Sequence, residues 1–305
     1  MAYIVTSWFG CFRFDDDGNL DLKILFEKNK DTIAEKLSII ANNDTLPEER
    51  SLVKDFSNVI VNQKRLRSIG HYNPSHHFFK KFYSEIEKYG YSKDLLKNAS
   101  LIHASKHIEK KLSLPDFQII QKVHAIDDLI HSLNVFDERL TTWKIFSIEN
   151  ENLKSFQDLM SQMSSEINKL QVEIKDQTSV IAPNTSILIG PMLTARLLVH
   201  AGSLQKFARL PASSIQLLGA EKALFRFKKE GGKPPKHGVI FQHEALLKAS
   251  KKDKGKIARL ISLKIILTIR ADVYTKRSIG LQLKEDFESQ IKQLSYISIN
   301  QNKDK

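Results

Sequence analysis

The chain has 305 residues, 41% of them hydrophobic. That is apolar enough to exclude wholesale disorder, and long enough for two or three domains. Its 47 Lys+Arg against 35 Asp+Glu give a net charge of +12, which points to a polyanionic partner rather than a basic or neutral one. Its single cysteine, Cys11, excludes an intramolecular disulfide and a multi-cysteine metal site, and fits a reducing, cytoplasmic location.

The charge is unevenly placed. Residues 1–182 carry 24 Lys+Arg and 26 Asp+Glu, whereas residues 183–305 carry 23 and 9. All of the excess therefore lies in the C-terminal part, as expected of a nucleic-acid surface. A membrane surface would call for an amphipathic basic helix with exposed Trp or Phe. Both tryptophans, Trp8 and Trp143, lie outside the basic part. The first residues have no basic n-region followed by an apolar core, so no signal peptide is expected. There is no run of about 18 apolar residues, so no spanning helix is expected.

Residues 2–9 are β-branched and aromatic and read as a strand. Asp15-Asp16-Asp17-Gly18-Asn19 has turn chemistry. A calcium loop would need further oxygen ligands and a later Glu at set spacing, so a plain turn is favoured. Leu20–Phe26 reads as a second strand. Residues 31–113 read as several short amphipathic helices with breakers at Asn42-Asn43, Pro47, Gly70, Pro74 and Gly90. His71, His76 and His77 lack carboxylate or thiol neighbours at ligand spacing, so surface or core histidines are expected.

Residues 116–181 carry the clearest period. Apolar residues fall at Ile119, Val123, Ile126, Ile130, Leu133 and Leu140, with Asp137 in one slot. They fall again at Leu153, Phe156, Met160, Met163, Ile167, Leu170, Ile174 and Ile181, with Gln177 in one slot. Steps alternating between four and three are a heptad seam. A polar break, 147–152, separates the two runs, so an antiparallel hairpin about 45 Å long is expected. Asp116 is placed to cap its first helix and Pro183 to stop its second. The seam does not say whether the partner helix belongs to the same chain, so an ordinary hairpin and a dimerisation arm both remain open.

From residue 184 onward the pattern is helical, over 185–201, 203–209, 212–227, 242–250, 254–273 and 277–294. A loop spans Gly231 to Gly238, stiffened by Pro234 and Pro235. Lys222 and Arg226, four apart, share a helix face with Glu221 beside them to orient a basic neighbour. Lys228 and Lys229 extend the basic run. Lys233 and Lys236 stand on the loop, and Lys254, Lys256 and Arg259 open the next helix. Long cations interspersed with glycine suit phosphate contacts. His237 and Phe241 are flat enough to stack on an unpaired base. Core packing is favoured for at least two of Phe225, Phe227 and Phe241. Enzyme signatures are missing: Lys254-Gly255-Lys256-Ile257 lacks the upstream Gly and the Ser/Thr of a P-loop, and GxGxxG, GxSxG and HExxH do not occur. No catalytic residue, metal or cofactor is expected. A methyltransferase would need a glycine-rich cofactor loop after its strands.

A family resemblance rests on Ile181-Ala182-Pro183-Asn184, Gly190-Pro191, Ala195-Arg196-Leu197, Ala201-Gly202, Pro211-Ala212-Ser213, Gly219 to Arg226, Pro234 to Gln242 and Gly255 to Arg259. In order and spacing these residues resemble the Nop domain. Ile119 to Leu129 and Glu138-Arg139-Leu140 with Trp143 also look like the start of that family's coiled coil. The chain is similar to archaeal Nop-domain scaffolds. The resemblance implies a mainly α chain of three parts: a small α/β N-terminal domain over 1–113, a coiled-coil hairpin over 114–181 and an all-α Nop domain over 182–305. It implies a non-catalytic subunit of a box C/D guide RNP, which directs RNA 2′-O-methylation. The N-terminal part would bind the methyltransferase fibrillarin, the hairpin would pair two copies, and the Nop domain would bind a kink-turn guide RNA together with its ribosomal-type kink-turn protein. The residues carried over for that contact are Gln216, Gly219, Glu221, Lys222, Arg226, Lys233, Lys236, His237, Gln242, Lys256 and Arg259, with Arg196 and Arg209 as weaker candidates. The alternative is a splicing-type Nop protein of a small nuclear RNP. Two departures stand out. Thr194 occupies a position where the family usually has Gly, and after Trp143 the chain turns quickly into the second heptad run, so a shortened arm is expected.

Overall fold

A computed structural model describes residues 1–54, 58–81, 87–146 and 151–303. The chain forms two compact units, Met1–Lys111 and Leu112–Lys305.

In the first unit, β1 (Ala2–Ser7), β2 (Gly10–Phe14) and β3 (Leu20–Leu25) form an antiparallel meander. The turn before β3 is closed locally: the Asp15 carboxylate accepts from Asn19 N at 2.8 Å, as a plain turn requires. Helices α1 (Lys30–Ala41) and α2 (Pro47–Val53) lead to β4 (Val59–Val61), which lies parallel to β1. Then β5 (His71–Tyr72) lies parallel to β4, giving the sheet order β3-β2-β1-β4-β5. The helices α3 (His77–Lys81) and α4 (Lys93–Leu112) follow. Thus residues 31–113 are not helical throughout. Strands of three and two residues show too little alternation to be read from sequence. Alternation sorts the side chains of the longer strands: Ala2, Ile4 and Cys11 join one cluster with Leu52 and Val61, while Phe12 joins another with Ile33 and Ala99. Between α2 and the 3₁₀ turn Lys64–Ser68, the buried Glu49 carboxylate accepts from the Arg65 guanidinium and from Leu46 N. Burial pushes the neighbouring Cys11 thiol up to about 12, which leaves it protonated and inert.

In the second unit, α5 (Pro115–Phe146) and α6 (Glu151–Ile181) form the antiparallel hairpin. Lys122 pairs with Glu173 near the base, and Phe136 meets Phe156 at 5.0 Å further out. Ile119, Ile126 and Ile174 fill the seam. Most of the polar break between the two runs, 147–150, lies outside the described residues.

Short helices then wrap a second core: α7 (Pro183–Ile189), α8 (Pro191–Ala201), α9 (Leu204–Arg209), α10 (Ala212–Leu217), α11 (Glu221–Glu230) and α12 (Glu244–Lys248). Helix α13 (Lys254–Arg270) runs through it, and α14 (Gly280–Lys303) closes it. Two of the expected helices are split, 185–201 at Gly190 and 212–227 at Leu218–Ala220. Pro183 stops α6 as expected. Asp116 lies in the first turn of α5, where one carboxylate oxygen accepts from Phe117 N at 3.0 Å, while the other reaches across the fold and accepts from Leu204 N at 2.9 Å, at the start of α9. Thr194 is buried, and its hydroxyl donates to Gly190 O at 2.8 Å, so the extra side chain is satisfied inside its own helix.

A buried polar knot ties the C-terminal helices together. Asp272, 1% exposed, lies in a π-helical turn, Ala271–Thr275, that follows α13. Its carboxylate accepts from Asn184 N and Nδ2 and from Thr185 N and Oγ1, at 2.7–3.0 Å. Asn184 Oδ1 in turn accepts from Ile279 N and Gly280 N. One carboxylate and one amide therefore satisfy the free N–H groups at the starts of both α7 and α14.

Candidate nucleic-acid interface

The candidate surface begins where α10 passes into α11. The chain reverses at Gly219, whose φ is +82°. A β-carbon there would lie 2.3 Å from Val239 Cγ2, so a side chain is excluded by both conformation and contact. Gly219 N donates to the Glu221 carboxylate at 2.7 Å. Glu221 thus ties down the turn at the start of its own helix. The nearest basic group is His200, at 3.9 Å, not a lysine or arginine of α11. This corrects the expected role of Glu221.

The loop after α11 folds back on the same turn. Gly238 N donates to Gln216 O at 2.8 Å, Val239 N to Leu218 O at 2.7 Å, and Gln216 Nε2 to Lys236 O at 2.7 Å. At Gly238 an added β-carbon would fall 1.8 Å from Leu218 O, so only glycine lets the two backbones meet. Gln216 therefore positions the loop with its amide N–H. This closure sets Lys236 and His237 beside the α10–α11 turn.

His237 and Phe241 are stacked on each other, with centroids 4.5 Å apart and planes 12° apart, and Lys254 Nζ lies 4.6 Å from the Phe241 ring centroid. Burial, together with Lys254 and Lys236, holds the His237 pKa below the ordinary imidazole value, so the ring is neutral at pH 7. The expected pair of open stacking groups is therefore partly occupied by its own members. Phe241 also packs against the core, so core packing holds for it, and Phe227 is half-buried.

Phe225 is the third of these rings, which that expectation left open. It is 70% exposed, on a helix that buries none of its side chains. Lys222, Phe225, Arg226 and Lys229 share one face of α11, by their three- and four-residue spacing. Lys222, Arg226, Lys233, Lys236 and Gln242 are all exposed. A helical wheel would have flagged Phe225: the half-buried Leu224 and Phe227 mark the inner face, and Phe225 falls among the cations.

Not every candidate joins this surface. Lys256 and Arg259 are turned about 200° and 140° around α13 from Lys254. They line a separate hollow with Leu260, Leu263, Gln290 and Gln293, against α14. Lys256 also lies 3.9 Å from Asp253. Arg196 pairs with Asp127 of α5 at 3.3 Å, which holds α8 to the hairpin. Arg209 is exposed on α9.

Comparison with known proteins agrees with this architecture. Residues 78–293 match the family described as "Nop: snoRNA binding domain, fibrillarin", and residues 1–107 match "Archaeal Nop5/56-rel, N-terminal domain". Nucleolar protein 58 of Schizosaccharomyces pombe is 38% identical over 149 residues, which is 47% of this chain and 29% of that protein. Human nucleolar protein 56 is 37% identical over 150 residues, 48% of this chain and 25% of that protein. The aligned part thus spans between a quarter and a third of these relatives. A chain in the crystal structure of a fibrillarin/Nop5p complex shares the fold, with a TM-score of 0.52 and 24% identity over 95% of this chain and 99% of that one.

Proposed function

The chain belongs to the Nop, or snoRNA-binding, domain family, and from that membership we propose that it is a non-catalytic scaffold of a box C/D guide RNP. In this reading residues 1–111 hold fibrillarin. The surface of α11 and the 231–238 loop binds a kink-turn RNA already carrying its kink-turn protein. The hairpin pairs two copies, a role favoured by the exposure of Ile130, Trp143 and Leu159 along it. The chain so links a methyltransferase to the RNA that guides it, in the cytoplasm, and takes no cofactor itself.

One observation carries the proposal. The α10–α11 turn and the loop are locked together through Gly219, Gly238 and Gln216, and this lock sets the exposed Lys236 beside the turn that begins α11, the helix carrying the exposed Lys222 and Arg226, with Lys233 exposed on the loop between them. Fixed cations read the position of a bent phosphate backbone, whereas a mobile basic tail would not. A surface that touches both RNA and a bound protein should bind the preformed complex far better than naked RNA.

Electrophoretic mobility shift tests this directly. The wild type should supershift a kink-turn RNA only when the kink-turn protein is bound, and Lys222→Ala with Arg226→Ala should abolish the supershift. Equal binding of the wild type to bare duplex RNA would mean a generic basic surface and would sink the reading.

A further inference from the structure

We infer that the groove between α13 and α14 is a docking site for a partner protein, and that the partner lays an acidic amphipathic helix in it. The groove is separate from the RNA surface proposed above: Arg270, which lines it, lies about 24 Å along α13 from Lys254, the lysine beside Phe241.

Helix α13 buries one face and leaves another open. Ile257, Ile261, Ile265 and Ile269 are buried in the core. On the outer side Leu263 is 49% exposed, Leu267 48% and Tyr274 55%. The line Leu260, Leu263, Leu267, Arg270, Tyr274 advances in steps of three and four, which is the spacing of a helix seam. Helix α14 supplies the other wall. Leu283 and Asp286 line a hollow of about 560 Å³ with Leu267 and Arg270, and Gln290 and Leu294 line a second with Leu260 and Leu263. From Leu260 to Tyr274 the seam is about 21 Å long, the length of four helical turns.

A single exposed leucine calls for no explanation. A line of them at seam spacing, facing further apolar side chains, is a place for a third helix. Charge selects the kind of helix. Arg270 and Arg277 line one hollow, and Lys256 and Arg259 the other. Among the described lining residues Asp286 is the one acid, and it is already held by Lys264 and by Gln290 Nε2 at 2.8 Å. Arg270 donates from Nε to Ala208 O at 3.2 Å, and neither it nor Arg277 has a carboxylate partner among the described residues. A helix with carboxylates flanking its apolar seam would meet cations at both ends, whereas a basic helix would be repelled. Nucleic acid fits less well, because its phosphates would lie against leucine walls that return no hydrogen bond.

The test is fluorescence anisotropy on the full chain. One probe is a labelled 18-residue helical peptide with leucine at its seam positions and glutamate beside them. The other has lysine in place of each glutamate. The glutamate probe should bind and the lysine probe should bind at least roughly tenfold more weakly. Leu267→Gln, at an exposed position, should cost roughly tenfold in affinity with the melting temperature unchanged. Arg270→Glu with Arg277→Glu should invert the preference between the probes. Equal binding of the two probes would mean general stickiness and overturn the inference, as would undiminished binding by Leu267→Gln. Displacement of the probe by a kink-turn RNA with its bound protein would assign the groove to that complex. A wild-type oligomer that Leu267→Gln disperses in light scattering would assign it to a second copy. Either outcome would overturn the inference and leave the mobility-shift test of the scaffold reading untouched.

Discussion

His243 makes the stability of the second unit depend on pH. Its Nδ1 accepts from Ala245 N at 3.2 Å, and its ring meets Phe287 edge-on, with centroids 5.7 Å apart. Burial lowers its pKa, against a hydrogen bond with the Leu188 backbone that raises it. In the unfolded chain the ring titrates near 6.5. Between that value and the lower native one, the unfolded state binds more protons, so stability rises with pH there. It is fully present above about pH 7 and is lost as pH falls below 6.5. The melting temperature followed by calorimetry should be flat from pH 7.5 to 8.5 and fall towards pH 5. His243→Gln should flatten that fall. At this scale the sequence marks the exposed cations correctly, because lysine and arginine chemistry does not depend on neighbours. It does not mark the pairing of Arg196 with Asp127 or the stack of His237 on Phe241, because each partner comes from a different element or a folded loop.

The elements show the same division. The hairpin is legible because a seam repeated over two runs of about 30 residues leaves only one face to bury. The split helices are not, since Gly190 and Gly219 look like tolerated interior glycines until their positive φ is seen. The polar knot at Asp272 is invisible in the sequence, where Asn184 and Asp272 lie 88 residues apart. Its weight is considerable, because the buried carboxylate accepts four hydrogen bonds at the start of α7 and orients the Asn184 amide that holds the start of α14. Asp272→Ala should cost about 3 kcal/mol, since charged hydrogen bonds contribute more than neutral ones and the donors left behind are buried. For a unit of this size that is a fall of roughly 6–12 °C in the melting temperature. The same variant should keep the surface of α11 intact and bind the RNA complex normally below its melting point. A loss of binding without a loss of stability would show that the knot shapes the interface directly.

For the whole molecule, the decisive quantity is where the charge excess lies. Lys222, Arg226, Lys233 and Lys236 could neutralise about four phosphates. Affinity for the RNA complex should then fall roughly 100-fold between 50 and 200 mM salt. Lys222→Ala alone should reduce the log–log slope by about one, measured by fluorescence anisotropy across a salt series. Lys256→Ala with Arg259→Ala should leave that slope nearly unchanged, because those side chains face the hollow against α14. From the sequence alone came the class of the chain, the hairpin, the basic C-terminal part and the family, because period, charge and motif spacing are local or additive properties. The tertiary structure alone decided which cations share one surface, what Glu221 and Gln216 hold in place, and which aromatic ring stays open. Those outcomes depend on how a turn at Gly219 and a backbone contact at Gly238 orient α11 and the loop, and that orientation is a long-range property of the packed chain.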